Sequence, residues 1–202
     1  RSECLKTNLT AATSSMLSLK KSNDMNNDMN KNIFQASKEF PFHISIGVVL
    51  TNKDGLICCH FYKKADLPIE SEGKSDLYLL VRETIQPNET LENAIARGLQ
   101  EEFGAKGELK AYIGSIKSTF PLRISKVLVE KTTLYFHVEM TSFNPASRDN
   151  DEVESKSTIQ WIEPEVLRDL FIEQGRKYDR SDLDESKIIE NYIKYVRVLV
   201  TT

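Results

Sequence analysis

From residue 40 onward, short apolar runs rich in β-branched and aromatic residues alternate with polar breaks. His43–Leu50 (HISIGVVL) reads as a strand, Asn52-Lys53-Asp54-Gly55 as a turn whose glycine takes positive φ, and Leu56–Tyr62 as the returning strand. The two strands form a hairpin. Residues 64–75 are a polar loop, and Asp76–Arg82 is a third strand. Leu109–Lys117 is a fourth, Thr132–Met140 an alternating fifth, and Thr158–Glu163 a short one after an acidic loop over residues 143–157. The period changes at Leu91: Leu91, Ala94, Ile95, Leu99 and Phe103 follow helical spacing between an N-cap at Thr90 and a terminating Gly104. Pro164 opens a short helix over Pro164–Phe171. A last helix lies near 182–199, with Ile188, Tyr192, Tyr195, Val196 and Leu199 on one face. Strands before, between and after helices predict an α/β fold with a mixed sheet covered by helices. There is no internal repeat.

Residues 1–38 lack this pattern and form a separate arm, leaving residues 39–202, the last helix included, as the domain. Segment 22–32 (SNDMNNDMNKN) has five asparagines and no large aliphatic residue besides Met25 and Met29, so it cannot bury enough surface to offset chain entropy. It reads as a flexible arm or linker. The rival reading is that Met16, Leu17 and Leu19 anchor a short helix on a partner subunit, which keeps a homodimer open. Arg1, Lys6 and Lys20, among Ser and Thr with one acid, Glu3, weakly resemble the end of a transit peptide; an ordinary tail is the preferred reading.

The composition narrows the function classes. The 202 residues are 40% hydrophobic and 28% charged, which suits one globular domain with a real core. A net charge of −3 gives no basic footprint for duplex nucleic acid or an anionic membrane. A small anionic ligand stays compatible, because a bound divalent metal supplies local positive charge. No apolar stretch approaches the ~20 residues a membrane helix needs. Cys4, Cys58 and Cys59 make a poor disulfide framework, and the last two sit in an apolar run (LICCHFY) where cysteine acts as a small hydrophobe. The reducing cytoplasm is the default compartment, and the sequons at Asn8 and Asn88 are then chance matches.

The first helix contains a conflict. At 100° per residue from Leu91, Glu102 falls near ~20°, inside the apolar arc, and Glu101 near ~280°, at its edge. Burying an unpaired carboxylate costs several kcal/mol, and adjacent acids repel. Two solutions stand side by side: Glu102 reaches solvent at the helix end, or Glu101 and Glu102 share a divalent cation.

At Glu83–Ala105 the residues resemble the Nudix box, G-x5-E-x7-R-E-U-x-E-E-x-G-U with U a bulky aliphatic residue. Glu89, Arg97, Leu99, Glu101, Glu102 and Gly104 match at the right spacing. Glu83 replaces the first glycine, Gly98 the second glutamate, and Ala105 the final aliphatic residue. The strand before the box, and the acidic stretch, Trp161 strand and short helix over residues 151–170, extend the resemblance to roughly residues 40–172.

The resemblance implies a Nudix-like α/β/α sandwich and a metal-dependent hydrolase cleaving the pyrophosphate bond of a nucleoside diphosphate linked to another moiety. It implies that Glu101 and Glu102 coordinate Mg²⁺ or Mn²⁺, hard ions that prefer oxygen. It implies a Glu89–Arg97 ion pair that fixes the loop against the helix, and counts all four residues as catalytic machinery. At Gly98 the family carries a glutamate that binds metal and serves as base. A third acid can come from Glu152 or Glu154 in the late loop, or from Glu83. The alternative is a catalytically impaired homologue that binds a nucleotide, RNA or protein. His43, His60 and His137 read as structural strand histidines, and Tyr62, Phe120, Phe143 and Tyr178 as core aromatics before base-stacking ones. No GxGxxG, P-loop, CxxC pair or Ser-His-Asp order supports another enzyme class.

Overall fold

The computed structural model describes residues 32–63, 76–121, 126–148 and 157–201. The compact unit Phe34–Thr202 is built around strand β1 (Phe42–Thr51), whose residues are buried from Ser45 onward. β1 runs parallel to β6 (Leu128–Phe143), from Phe42 opposite Glu130 to Thr51 opposite Glu139. β6 pairs antiparallel with β5 (Ala105–Pro121) on its outer side. On its other side β1 changes partner along its length. It meets β2 (Ile57–Tyr62) at Thr51–Ile57, then β4 (Val81–Thr84) from Val48–Val81 to Ser45–Thr84. β2 pairs instead with β3 (Leu77–Leu79) and β7 (Thr158–Ile162). The hairpin is therefore joined only at its turn, and the mixed sheet splays open where β2 leaves β1.

The third strand is two strands, not one. Between β3 and β4 the chain breaks at Leu80, whose N–H donates to Glu185 Oε2 at 3.0 Å instead of to a ladder. The break follows from a buried acid about a hundred residues away in sequence, which no local pattern shows.

Helix α1 (Leu91–Gly98) continues into one π-helical turn over Leu99–Phe103. It covers one face of the sheet, over Ile46, Val48, Leu50, Cys58 and Val81. Helices α2 (Pro164–Tyr178) and α3 (Ser186–Thr201) cover the other, over Val49, Ile57, Cys59 and Tyr135. This is the α/β/α sandwich with a mixed sheet. The vicinal cysteines divide between the two cores, as strand alternation requires. Both thiols are buried and free; burial pushes Cys58 well up and Cys59 up to about 12, which fits inert packing groups. Gly47 lets the Tyr135 ring lie on β1, where a Cβ would approach Tyr135 Cδ1 to 2.4 Å.

Three sequence expectations change. α2 runs on past Phe171 to Tyr178, because Leu167, Phe171, Gln174 and Tyr178 keep one buried face. β5 is far longer than Leu109–Lys117: several of its added residues, Lys106, Glu108 and Thr119 among them, are exposed and polar, and it is bulged at three places. In α3, Ile188, Ile189, Tyr192 and Ile193 form the buried face, whereas Leu199 is exposed, since the helix outruns the sheet beneath it. Among the described residues, no helix is long and apolar enough to cross a membrane.

Candidate active site

The site lies where β4, the loop after it, α1 and β2 converge. Thr90 Oγ1 accepts from Asn93 N at 3.2 Å and starts α1. Gly104 ends it with φ 63°, and a Cβ there would lie 2.1 Å from the Asn144 carbonyl oxygen. Glycine is thus demanded twice, by backbone conformation and by contact.

Arg97 is the hub. Its Nε and Nη2 grip the Glu89 carboxylate at 2.8 and 3.0 Å, a bidentate pair. Nη2 also donates to the Thr84 carbonyl at 3.0 Å. Nη1 donates to Glu83 and, at 3.2 Å, to Glu101 Oε2. Glu89 Oε2 further accepts from Gln86 N at 2.8 Å. One guanidinium therefore ties the end of β4, the loop and the helix together, and the expected Glu89–Arg97 pair is present. Every N–H of Arg97 has an acceptor.

Glu101 and Glu102 do not converge. A π-turn fits one more residue into the turn than an α-helix does, so the regular 100° spacing fails at these positions. Glu101 points to Arg97, with its side chain 40% exposed. Glu102 points to β2, where Oε2 accepts from His60 Nε2 at 2.7 Å. The apolar-arc conflict is thus resolved in a third way: Glu102 keeps a small exposed area and is held by a histidine. His60 is 2% exposed, packs 4.6 Å from the Phe103 ring, and its Nδ1 lies 2.8 Å from Ser157 Oγ. An Nε2–H tautomer satisfies both contacts, donating to the carboxylate and accepting the serine hydroxyl.

His60, read from the pattern as a structural strand histidine, is buried and in contact with Glu102. Parity carries the missing signal: His60 shares a strand face with Cys58, the face under α1. His43 and His137 do have structural partners, Thr84 Oγ1 at 3.0 Å and Thr51 Oγ1 at 2.9 Å. Phe143 packs on Trp161 and Tyr178 is buried. Glu152 and Glu154 lie outside the described residues.

The donor type, though not the present orientation of the two side chains, suits a hard divalent cation. Glu101 and Glu102 are oxygen donors on one turn, and Mg²⁺ accepts one or two carboxylates with water and phosphate oxygens completing its shell. Among the described residues, no group of three metal-ligating side chains is gathered. The fit is that of a sparsely held, largely hydrated ion.

The family model described as the NUDIX domain matches residues 41–181. A NUDIX hydrolase from Nitrosomonas europaea superposes with a TM-score of 0.52 at 14% identity, over 75% of this chain and 88% of that one. The E. coli ORF135 protein gives 0.46 at 15% identity, over 79% and 94%. The MutT protein from Methanosarcina mazei Go1 gives 0.42 at 17% identity, over 72% and 99%. No curated protein sequence matches the chain.

Proposed function

The chain belongs to the NUDIX domain family, and from that premise we propose that it hydrolyses the pyrophosphate bond of a nucleoside diphosphate joined to another moiety, with Mg²⁺ or Mn²⁺ held by Glu101 and Glu102. The observation that carries this reading is the Arg97 hub, which fixes the box loop and the start of the acidic turn in one frame. A bound divalent cation supplies positive charge against the diphosphate oxygens and makes water a better nucleophile.

The chain's own residues supply position. Glu89 and Arg97 keep the loop from swinging away from the helix, which holds Glu101 at a set distance from β4. His60 donates to Glu102 Oε2 and so fixes the carboxylate from the β2 side. The buried imidazole stops the carboxylate from rotating, so its orientation is set before substrate arrives.

The test is Mg²⁺- or Mn²⁺-dependent release of monophosphate from a panel of nucleoside diphosphate derivatives. Glu101→Gln and Glu102→Gln should each lower kcat by roughly 10²-fold or more, the scale expected when one catalytic group is removed. Equal turnover in all three proteins rejects the assignment. A second reading, a NUDIX domain that binds without turnover, draws support from Gly98 and from the missing third carboxylate on the helix. It is favoured if no compound turns over while calorimetry still detects binding.

A further inference from the structure

Beneath α2 and α3 the sheet changes character along its strands. One end of this face is apolar, with Val49, Ile57, Leu80 and Tyr135 in the core. The other end is polar. Alternation and register place Arg82 of β4, Ser45 of β1 and Lys131 of β6 on it. Ser45 stands in the middle, opposite Thr84 on one side and Thr133 on the other. Arg82 lies opposite Gly47 and Lys131 opposite His43, so the two cations flank Ser45 from diagonal corners.

Three donors meet here without an acceptor. Ser45 is 1% exposed, and neither its Oγ nor Arg82 Nη2 has a hydrogen-bond partner among the described residues. A buried donor left unpaired destabilises a fold, so each such group asks for a partner. Lys131 makes no hydrogen bond or ion pair among the described residues, and burial and then Arg82 lower its pKa. The nearby acids are already engaged. Glu185 accepts from Arg82 Nε, Leu80 N and the Tyr135 hydroxyl. Both Asp182 oxygens accept from Arg180, and Glu102, which also acts on Lys131, accepts from His60.

A cleft adjoins these donors. Arg180 and Asp182 both act on the Arg82 charge, and with Ser181 and the end of β5 at Thr119–Pro121 they wall a space of about 530 Å³. The Arg180 side chain is 54% exposed, so its pair with Asp182 can swing aside at small cost. Asp179 on the same wall is exposed, where water screens its charge.

We propose that this end of the sheet is a binding site for a phosphate-class oxyanion, held by Arg82 Nη2, Lys131 Nζ and Ser45 Oγ and entered from the Arg180–Asp182 cleft. The ligand class follows from the donors. A guanidinium N–H, an ammonium and a hydroxyl all donate to oxygen, and charge-assisted bonds favour an anion. The three come from three neighbouring strands spaced about 4.8 Å apart. A tetrahedral anion can turn a separate oxygen to each, whereas a planar carboxylate has only two to offer. The cleft is larger than one phosphate and leaves room for the rest of a phosphomonoester. The site lies on the opposite face of β4 from Arg97 and does not depend on the hydrolase reading.

The experiment is calorimetric titration of inorganic phosphate into the full chain at constant ionic strength, with EDTA present so that no metal bridges phosphate to the carboxylates around Arg97. Amide shifts read the location. Wild type should bind phosphate saturably, with the amides of Ser45, Arg82 and Thr133 moving and those of Glu101 and Gly104 still. Lys131→Met removes a half-buried ammonium; it should keep the wild-type Tm or exceed it and weaken binding at least tenfold. Ser45→Ala should weaken binding at least threefold, and Glu101→Gln should not change it. Glycerol 2-phosphate separates the two sources of the ligand: tighter binding than phosphate assigns the site to a group on a larger molecule, weaker binding to the free ion, and either supports it. No saturable binding by wild type, wild-type affinity in Lys131→Met, or shifts centred on Glu101 overturn the proposal. Acetate binding as tightly as phosphate overturns the choice of a tetrahedral anion. None of these outcomes bears on turnover, which is measured with divalent metal present.

Discussion

Strand β4 carries charge clusters on both of its faces, and they are built by opposite rules. Under α2 and α3, Glu185 is fully buried and accepts from Arg82 Nε at 2.9 Å, from Leu80 N at 3.0 Å and from the Tyr135 hydroxyl. Burial works against the Arg82 charge, but Glu185 and its neighbours hold its pKa above the ordinary arginine value. Burial and Glu185 together push the Tyr135 hydroxyl well up, so it remains a neutral donor. Glu185 is the central acceptor of this cluster, with Asp182 and Lys131 near enough to act on its charges and Arg82 Nη2 buried without a hydrogen-bond partner among the described residues. On the face under α1, one step along the strand, Arg97 meets three carboxylates and stays partly wet. The first cluster is buried around Glu185; the second sets three carboxylates around one partly exposed guanidinium. Perturbed or crowded charge alone does not identify a site.

The contrast breaks most visibly at Glu185. Glu185→Ala leaves Arg82 buried and the Leu80 amide without its acceptor, and should cost about 3–5 kcal/mol, read from urea midpoints. The pair replacement Arg82→Met with Glu185→Leu should recover much of that loss, because the desolvated charge is gone. A loss under 1 kcal/mol for Glu185→Ala would show that Glu185 does not hold β4. On the other face, Arg97→Gln releases three carboxylates that water already reaches. It should cost about 1–2 kcal/mol at low ionic strength and less as salt is added, since screening acts on exposed charge. The Glu185→Ala cost should be insensitive to salt. Equal salt dependence in the two variants would erase the distinction between the clusters.

What the sequence disclosed follows the same division. Strand and helix positions, the box spacing and the Glu89–Arg97 pair were legible because each depends on residues near in sequence or on a fixed interval. The break at Leu80 was not, because its cause is Glu185, which acts through the fold. The divergence of Glu101 and Glu102 was not, because wheel arithmetic assumes 3.6 residues per turn and the chain inserts a π-turn at those residues. The contact of His60 with Glu102 was not, because the two are 42 residues apart and the fold brings them together. Gly98 and Glu83 were both seen as departures, but that a Cβ on Gly98 would meet the Glu83 side chain is a distance, and a sequence contains none.

The gentlest probe of the face under α2 and α3 is pH. His43 lies on β1 beside Thr84, and burial, with Lys131 nearby, lowers its pKa from 6.5 to about 4. Lys131 is itself lowered by burial and by Arg82, so this face disfavours added positive charge at two points. Between pH 6.5 and 4 the unfolded chain binds more protons at His43 than the folded one. Its contribution to stability is therefore complete above pH 6.5 and is lost as pH falls through this range. Because water still reaches part of the ring, the loss should be about 1 kcal/mol, less than the full shift implies. His43→Gln removes the titration and keeps a hydrogen-bonding partner for Thr84, so its stability should fall less steeply from pH 7 to pH 4 than that of the wild type. The carboxylates titrate alike in both proteins and cancel in the difference. Parallel stability curves would mean that His43 charges as easily in the fold as outside it, and that this face is no more closed to protons than the one beneath α1.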